Sequence, residues 1–475
     1  MSEQPLWAPD ELLAATGGIL QGAVSQPIVG VVIDNRQVAA GDMFVAIRGE
    51  NHDGHDFAAA ALKAGAGLAL VSRPTDEMRS AGALLVVAED PLRGLEAIGR
   101  AARARSHALI AAVTGSVGKT STKEMLRAAL GGSGLTHTSA ASFNNHWGVP
   151  LTLARMPRTA AYGVFEIGMN HAGEITPLVG MVRPHVAVVT AIAASHLGHF
   201  KSLDDIADAK AEIFSGVEPG GTAVINRDTP FFDKLAAAAR RAGVKEIIGF
   251  GRHSDAQVRL DGVALHSDCC CITASVMGEP AIYKLGMPGE HMALNSLAVL
   301  ATVKALGADL ARAALALATV EPAKGRGVRE RLQANGGEIM LIDESYNANP
   351  ASVRAALALL KTARPDKGGR RIAVLGDMLE LGEQGPTLHA ELGDAVIDSG
   401  VDALYTAGPL MAHLKDVTPA ARRGAHAGSS KDLRDKVLAG VRSGDVVMVK
   451  GSLGSRMAVL TEALRAAYPP RKKDF

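Results

Sequence analysis

The densest chemistry in this chain is the run Thr114-Gly115-Ser116-Val117-Gly118-Lys119-Thr120-Ser121, between the apolar stretch Leu109 to Val113 and the helix-like stretch Lys123 to Leu130. Glycines in such a loop let backbone N–H groups turn inward around phosphate oxygens, and the N-terminal end of the following helix adds positive potential. Lys119 supplies a mobile point charge for the β and γ phosphates, and Thr120 offers a hydroxyl to Mg²⁺. Ordinary phosphate loops carry an earlier glycine at the position held here by Val113, so this is the shorter Gly-x-x-Gly-Lys-Thr form. The chemistry is that of a nucleoside triphosphate. A glycine turn with a surface lysine is the competing account, and the strand before and helix after argue against it.

The elements that must position this loop fall into three blocks. Residues 1–88 mix short strands, such as Val29 to Ile33 and Leu84 to Val87, with a helix from Phe57 to Ala66. Residues 89–324 open with Asp90-Pro91 and alternate strands (Leu109 to Val113, Gly163 to Ile167, Val186 to Thr190, Thr222 to Ile225) with helices, the rhythm of a parallel sheet covered on both faces. Close-set strands over Val258 to Leu285 read as an antiparallel appendage, followed by helices from Glu290 to Leu306 and Leu310 to Thr319. Residues 325–475 restart the rhythm, with strands near Ile339 to Ile342, Ile372 to Leu375, Ala403 to Thr406 and Val446 to Val449, without a phosphate loop of their own. The fold class is therefore α/β in three domains, with a central P-loop domain and a Rossmann-like C-terminal one.

Composition narrows the function. At 475 residues with 47% hydrophobic side chains the chain can bury several cores. With 50 basic against 49 acidic residues the net charge is +1, which gives no field to attract nucleic acid or an acidic membrane. The basic tail Arg471-Lys472-Lys473 reads as a solvated terminus. All three cysteines are consecutive, Cys269-Cys270-Cys271, neither a metal spacing nor a disulfide framework. No signal peptide shows at Met1 to Glu11, and no uncharged apolar run approaches the roughly 20 residues that span a bilayer. The expectation is a cytoplasmic protein with no membrane insertion.

Open α/β sheets bind ligands beyond the carboxyl ends of their strands, which nominates Glu166, His196 and Lys210. Taken singly they are a strand-end carboxylate, a loop histidine and a lysine on a solvated helix face. As a set with Thr-Gly-x-x-Gly-Lys-Thr at 114–120 they resemble the central domain of the Mur ligase family of cell-wall enzymes. The strings Asp343-Glu344-Ser345-Tyr346-Asn347-Ala348-Asn349-Pro350 and Gly376-Asp377-Met378-Leu379-Glu380-Leu381-Gly382 resemble that family's last domain. Asp34-Asn35-Arg36, the segment Gly41 to Gly49 and Asp53-Gly54-His55 look like its UDP-sugar domain. The resemblance runs from Asp34 to Lys450-Gly451-Ser452.

The resemblance implies ATP-dependent addition of D-alanyl-D-alanine to UDP-N-acetylmuramoyl-tripeptide through an acyl phosphate, since the last-domain strings match ligases of that kind and no Asn-Pro-Arg diamino-acid motif is present. It implies that Gly115, Ser116, Val117, Gly118, Lys119, Thr120 and Ser121 hold the ATP phosphates. Thr120 and Glu166 would hold one Mg²⁺; His196 and a carbamylated Lys210 would hold a second. Carbamylation needs a neutral amine, hence a lowered lysine pKa. Asn295 would read adenine, in a Gly-x-His-Asn-x-x-Asn pattern where Met292 replaces the first asparagine. Arg326 would reach the γ-phosphate, and Glu344, where the family more often has aspartate, would face the ribose. Asn35 (in place of serine) and Arg36 would face the uridine diphosphate, Asn144 and Asn145 the muramoyl peptide. Tyr346, Asn347, Asn349 and Asp377 would face the cleft that admits the dipeptide. The implied state is a monomer. Two rivals remain in the enzyme class, a sister ligase adding a single amino acid and a folylpolyglutamate-type synthetase. Outside it stands a nucleotide-binding switch protein, which expects an Asn-Lys-x-Asp string that Asn226-Arg227-Asp228 does not supply.

Overall fold

The computed structural model describes residues 5–24, 27–140, 142–195 and 197–470. Its strands form three sheets, of five, nine and six strands, and the α/β expectation holds throughout.

In the first sheet the order is Ile19–Gln21, Leu84–Val86, Leu68–Val71, Asp42–Val45, Gly30–Val32, all parallel except the first pair. Asp90 accepts the Leu92 N–H at 2.9 Å and starts the helix Pro91–Ala104, whose proline needs no such partner. That helix joins the first two blocks. Its Leu95, Ile98 and Ala102 share a core with Leu68 and Leu70 of the first sheet and with Leu151 and Ala154 of the helix Gly148–Ala154. Arg103 on the same helix is buried and donates to the Val182 and Arg183 carbonyls at 2.7 and 2.8 Å, satisfying the end of the helix Ile175–Val182.

The nine-stranded sheet runs Glu279–Leu285, Cys270–Val276, Val258–Leu265, Glu246–Gly251, Thr222–Asn226, Val186–Val189, Leu109–Thr114, Tyr162–Glu166, Thr136–Thr138. Its central strands are apolar on both faces because both are covered. The helices Lys119–Gly131, Glu290–Ala305 and Leu310–Leu317 lie on one face. Gly148–Ala154, Ile175–Val182, Leu203–Ala211 and Phe232–Arg241 lie on the other. The antiparallel strands over Val258 to Leu285 are present, but they extend this sheet rather than hang from it, because Val258 and Arg259 pair in parallel with Phe250 and Gly251. Cys270 points into the core while Cys271 is exposed, the alternation of a half-buried strand.

The third sheet has the order Val328–Ala334, Gly337–Glu344, Val446–Lys450, Arg371–Gly376, Ala403–Ala407, Arg423–Ala427. Only its first pair is antiparallel. The strands Val328–Ala334 and Arg423–Ala427 lie at its edges, where charged and partly exposed residues hide the apolar pattern that marks the central four.

Candidate active site

Strand register builds the site. Leu109–Thr114 pairs with Tyr162–Glu166 so that Val113 lies beside Glu166, and with Val186–Val189 so that Thr114 lies beside Val189. The phosphate loop therefore leaves its strand flanked by Glu166 on one side and Thr190 on the other. The helix beyond starts at Lys119, earlier than the helix-like residues suggest, and Gly118 caps it in the left-handed region, at φ 87°. A Cβ on Gly118 would lie 2.7 Å from the Asn295 amide nitrogen, so Asn295, near the start of the long helix Glu290–Ala305, packs directly against the loop.

Loop 190–195 holds the phosphate loop from below. The Thr190 hydroxyl donates to the Val117 carbonyl at 2.6 Å, the Ser116 N–H to the Ala191 carbonyl at 2.7 Å, and the Ser116 hydroxyl to the Ala193 carbonyl at 2.9 Å. Thr190 was not legible as a site residue, because only the tertiary register brings it under the loop.

The Thr120 hydroxyl donates to Glu166 Oε2 at 2.9 Å, and Asn144 Nδ2 donates to Oε1 at 2.7 Å. Both Thr120 and Glu166 are buried. Lys119, half-buried, donates its Nζ to the Gly115 carbonyl at 2.6 Å. Burial pushes its pKa down, Glu166 opposes that shift, and Arg326 adds to it. Lys210, on the helix Leu203–Ala211, is 1% exposed rather than part of a solvated face. Burial, and then the charge of Lys119, push its amine well below the usual lysine range. His196 lies outside the described residues.

Hard oxygen donors at this spacing fit Mg²⁺, which takes few protein ligands and completes its shell with phosphate oxygens and water. Among the described residues no group of three or more His, Cys, Asp or Glu side chains could hold a metal ion.

The third sheet presents its carboxyl ends to the same region. Arg326 stacks over the Tyr346 ring at 4.3 Å, and the Tyr346 N–H donates to the Gly325 carbonyl at 3.1 Å. Lys450 Nζ donates to Glu344 at 3.1 Å and to the Asn347 carbonyl at 3.0 Å. Two of the residues expected in the cleft have backbone partners. Asp377 is buried, and its carboxylate accepts the Met411 N–H at 2.8 Å, capping the helix Met411–Val417. Asn349 is the N-cap of the helix Pro350–Thr362, in a capping box with Ser352. The side-chain oxygens of both accept from backbone donors at helix starts.

Between the first and second sheets opens a cleft of about 1440 Å³ lined by Asn35, Arg36, Arg48, Asn144, Asn145 and Asn170 among others. Arg36 is exposed and pairs with Asp34 at 2.7 Å. Asn145 Oδ1 accepts the Gly148 N–H at 3.0 Å, so its side chain also starts a helix. Arg93 and Arg100, one face of the helix joining the blocks, line this cleft too. Their i, i+7 spacing is the signal that would have found them.

Among the described residues no helix is long and apolar enough to cross a membrane. Family models described as Mur ligase family, catalytic domain, Mur ligase middle domain, and Mur ligase, glutamate ligase domain match residues 27–127, 113–303 and 329–453. The chain is similar to the UDP-N-acetylmuramoyl-tripeptide–D-alanyl-D-alanine ligase of Escherichia coli (strain K12), 34% identical over 96% of this chain and 97% of that protein. It is similar also to the ligase of the same name in Rickettsia prowazekii (strain Madrid E), 31% identical over 90% of this chain and 93% of that protein. Among solved structures it resembles MurF from Acinetobacter baumannii, 29% identical, covering 97% of this chain and 99% of that one, with a TM-score of 0.84.

Proposed function

The chain belongs to the Mur ligase family, and from that premise we propose that it is an ATP-dependent ligase of peptidoglycan precursor synthesis, joining D-alanyl-D-alanine to UDP-N-acetylmuramoyl-tripeptide. The observation that carries the reading is the phosphate loop with Lys119, Thr120 and Glu166 drawn together at the carboxyl ends of two adjacent strands of the central sheet. The name shared by the full-length relatives supplies the substrates.

A carboxylate is a poor electrophile because oxide is a hopeless leaving group. Transfer of the γ-phosphoryl group to the tripeptide carboxylate first makes an acyl phosphate and ADP. The dipeptide amine then attacks the acyl carbon, the C–O bond to phosphate breaks, and the products are the pentapeptide, phosphate and a proton. Negative charge gathers on the transferring group in the first step, so fixed cations and N–H donors contribute most. Lys119 and the amides of residues 115–121 hold the β and γ phosphates, and Arg326 reaches the γ-phosphate from the junction with the third domain. Its stacking on Tyr346 orients the guanidinium without consuming its donors. Asn295 and Glu344 address adenine and ribose.

Thr120 and Glu166 would hold one Mg²⁺, and His196 with a carbamylated Lys210 a second; the metal ions would supply charge neutralisation for the phosphoryl group being transferred. The buried, pKa-lowered Lys210 suits carbamylation, since the neutral amine is the form that takes up CO₂. The large cleft takes the UDP-muramoyl peptide, with Asn35 and Arg36 at the diphosphate end, while Tyr346 and Asn347 line the dipeptide's entry. The domains are those of residues 1–88, 89–324 and 325–475, and the enzyme acts in the cytoplasm as a monomer.

The test is phosphate release from ATP and Mg²⁺ with UDP-N-acetylmuramoyl-tripeptide, with and without D-alanyl-D-alanine. Release that needs both, with the pentapeptide mass, is expected. Turnover with a single amino acid and none with the dipeptide would move the chain to a sister ligase.

A further inference from the structure

We propose that Asn144 is a positioning residue for the Glu166 carboxylate, tying the Mg²⁺ site to the muramoyl-peptide cleft. The inference rests on the reading of Glu166 as an Mg²⁺ ligand. Sequence resemblance assigns Asn144 to the substrate, yet its Nδ2 donates to Glu166 Oε1 at 2.7 Å while Thr120 holds Oε2 at 2.9 Å. A carboxylate gripped at both oxygens has one orientation, and each oxygen keeps a further lone pair for a cation. Outer hydrogen bonds of this kind orient metal ligands and tune their affinity.

The backbone reinforces the grip. The Gly168 N–H donates to the Asn144 carbonyl at 2.8 Å, and a Cβ on Gly168 would lie 2.9 Å from the Asn144 side-chain carbon. The segment after Glu166 and the segment around Asn144 are thus joined through both backbone and side chain. The second of these is itself anchored: Asn145 Oδ1 accepts the N–H of Gly148, the first residue of the helix Gly148–Ala154, and the Phe143 and Trp147 rings pack at 5.4 Å. Both segments form cleft wall, Asn144, Asn145 and Trp147 from one and Gly168, Met169 and Asn170 from the other. A substrate that presses on this wall presses on the carboxylate that holds the metal. The coupling is reciprocal: what the muramoyl peptide adds to metal affinity, the metal adds to peptide affinity.

The test compares wild type with Asn144→Ala and Asn144→Asp. Aspartate keeps the shape, loses the donor and sets a like charge beside Glu166, so it serves if the alanine chain does not fold. The Mg²⁺ concentration for half-maximal phosphate release should rise about 10- to 100-fold in the alanine variant and at least as far in the aspartate one. Protein-bound Mn²⁺, measured by water-proton relaxation with a non-hydrolysable ATP analogue, should weaken by the same factor. The KM for UDP-N-acetylmuramoyl-tripeptide at saturating Mg²⁺ should rise by no more than the factor by which the tripeptide tightens Mn²⁺ binding in wild type, because that coupling is all the peptide loses when the amide acts on the metal ligand. The tripeptide substrate should tighten Mn²⁺ binding in wild type and not in Asn144→Ala. Unmoved Mg²⁺ and Mn²⁺ requirements with a raised tripeptide KM would make Asn144 a substrate contact and overturn the proposal, leaving the ligase reading intact. Mn²⁺ binding that survives Glu166→Gln would remove the metal reading of Glu166 and the proposal with it.

Discussion

Thr190 lies beneath the phosphate loop with none of its surface exposed, and its hydroxyl donates to the Val117 carbonyl at 2.6 Å. Thr190→Val replaces that hydroxyl with a methyl group of similar size, so the change is chemical rather than volumetric. A methyl carbon stays roughly 3.3 Å or more from a carbonyl oxygen, so the contact must open by about 0.7 Å and Val117 loses its donor. Leaving a buried acceptor without a partner costs about 1–3 kcal/mol. Val117 is only half-buried, which places the cost in the lower part of that range. About 1–2 kcal/mol corresponds to a factor of roughly 5–30. Borne by the loop conformation that binds phosphate, it should raise the ATP KM by that factor. The tripeptide KM should not move, since Thr190 does not line the large cleft. Steady-state phosphate release, with ATP varied at saturating tripeptide and dipeptide, measures the first, and calorimetry with a non-hydrolysable analogue checks it. Thr190→Ser, which restores the donor, should return to near wild type. A valine variant with an ATP KM within twofold of wild type would refute the claim that this hydroxyl orders the loop.

Lys119→Ala should abolish acyl phosphate formation while the chain stays folded; turnover above about a tenth of wild type would remove Lys119 from the mechanism, given the scale of fixed-charge stabilisation in phosphoryl transfer. Lys210→Ala should lose activity and regain part of it with added acetate, a short carboxylate standing in for the carbamate. Recovery equally strong with chloride would count against a carbamate. Asp377→Ala should lower thermal stability by about 1–2 kcal/mol, the worth of a helix N-cap, with the dipeptide KM unchanged. A raised dipeptide KM at unchanged melting temperature would return Asp377 to the cleft.

What the sequence disclosed, it disclosed through local pattern. The strand–loop–helix at Leu109 to Leu130 announces itself because glycine spacing, apolar run and lysine are contiguous, and the central strands of all three sheets are short apolar runs bounded by turns. Val328–Ala334 stayed hidden because an edge strand needs only one apolar face; its Arg329, Glu330 and Arg331 resemble a polar linker. The roles of Thr190 and Asn144 were out of reach for another reason. Thr190 acts on Val117, 73 positions away, and Asn144 on Glu166, 22 positions away, so each depends on sheet register that no local window contains. At Asp377 and Asn349 the residue types alone leave the role open, because acids and amides at strand ends serve equally as ligands and as caps.

Charge gives the third domain its part in the reaction. Lys119 and Arg326 stand close enough that Arg326 adds to the lowering of the Lys119 pKa by burial, with Glu166 the carboxylate that opposes the shift. Cations crowded in this way repel one another, and that repulsion is the cost of bringing the junction at Arg326 up to the phosphate loop. A triphosphate reverses its sign, because each cation then faces negative oxygens instead of its neighbour. A ligand shifts a conformational balance only by its differential affinity for the two states. On the proposed reading that difference is supplied by the nucleotide's own charge, greatest when Arg326 is beside Lys119. The arrangement that stabilises charge on the transferring phosphoryl group is then also the one that brings Tyr346 and Asn347, and with them the dipeptide's entry, up to the acyl carbon.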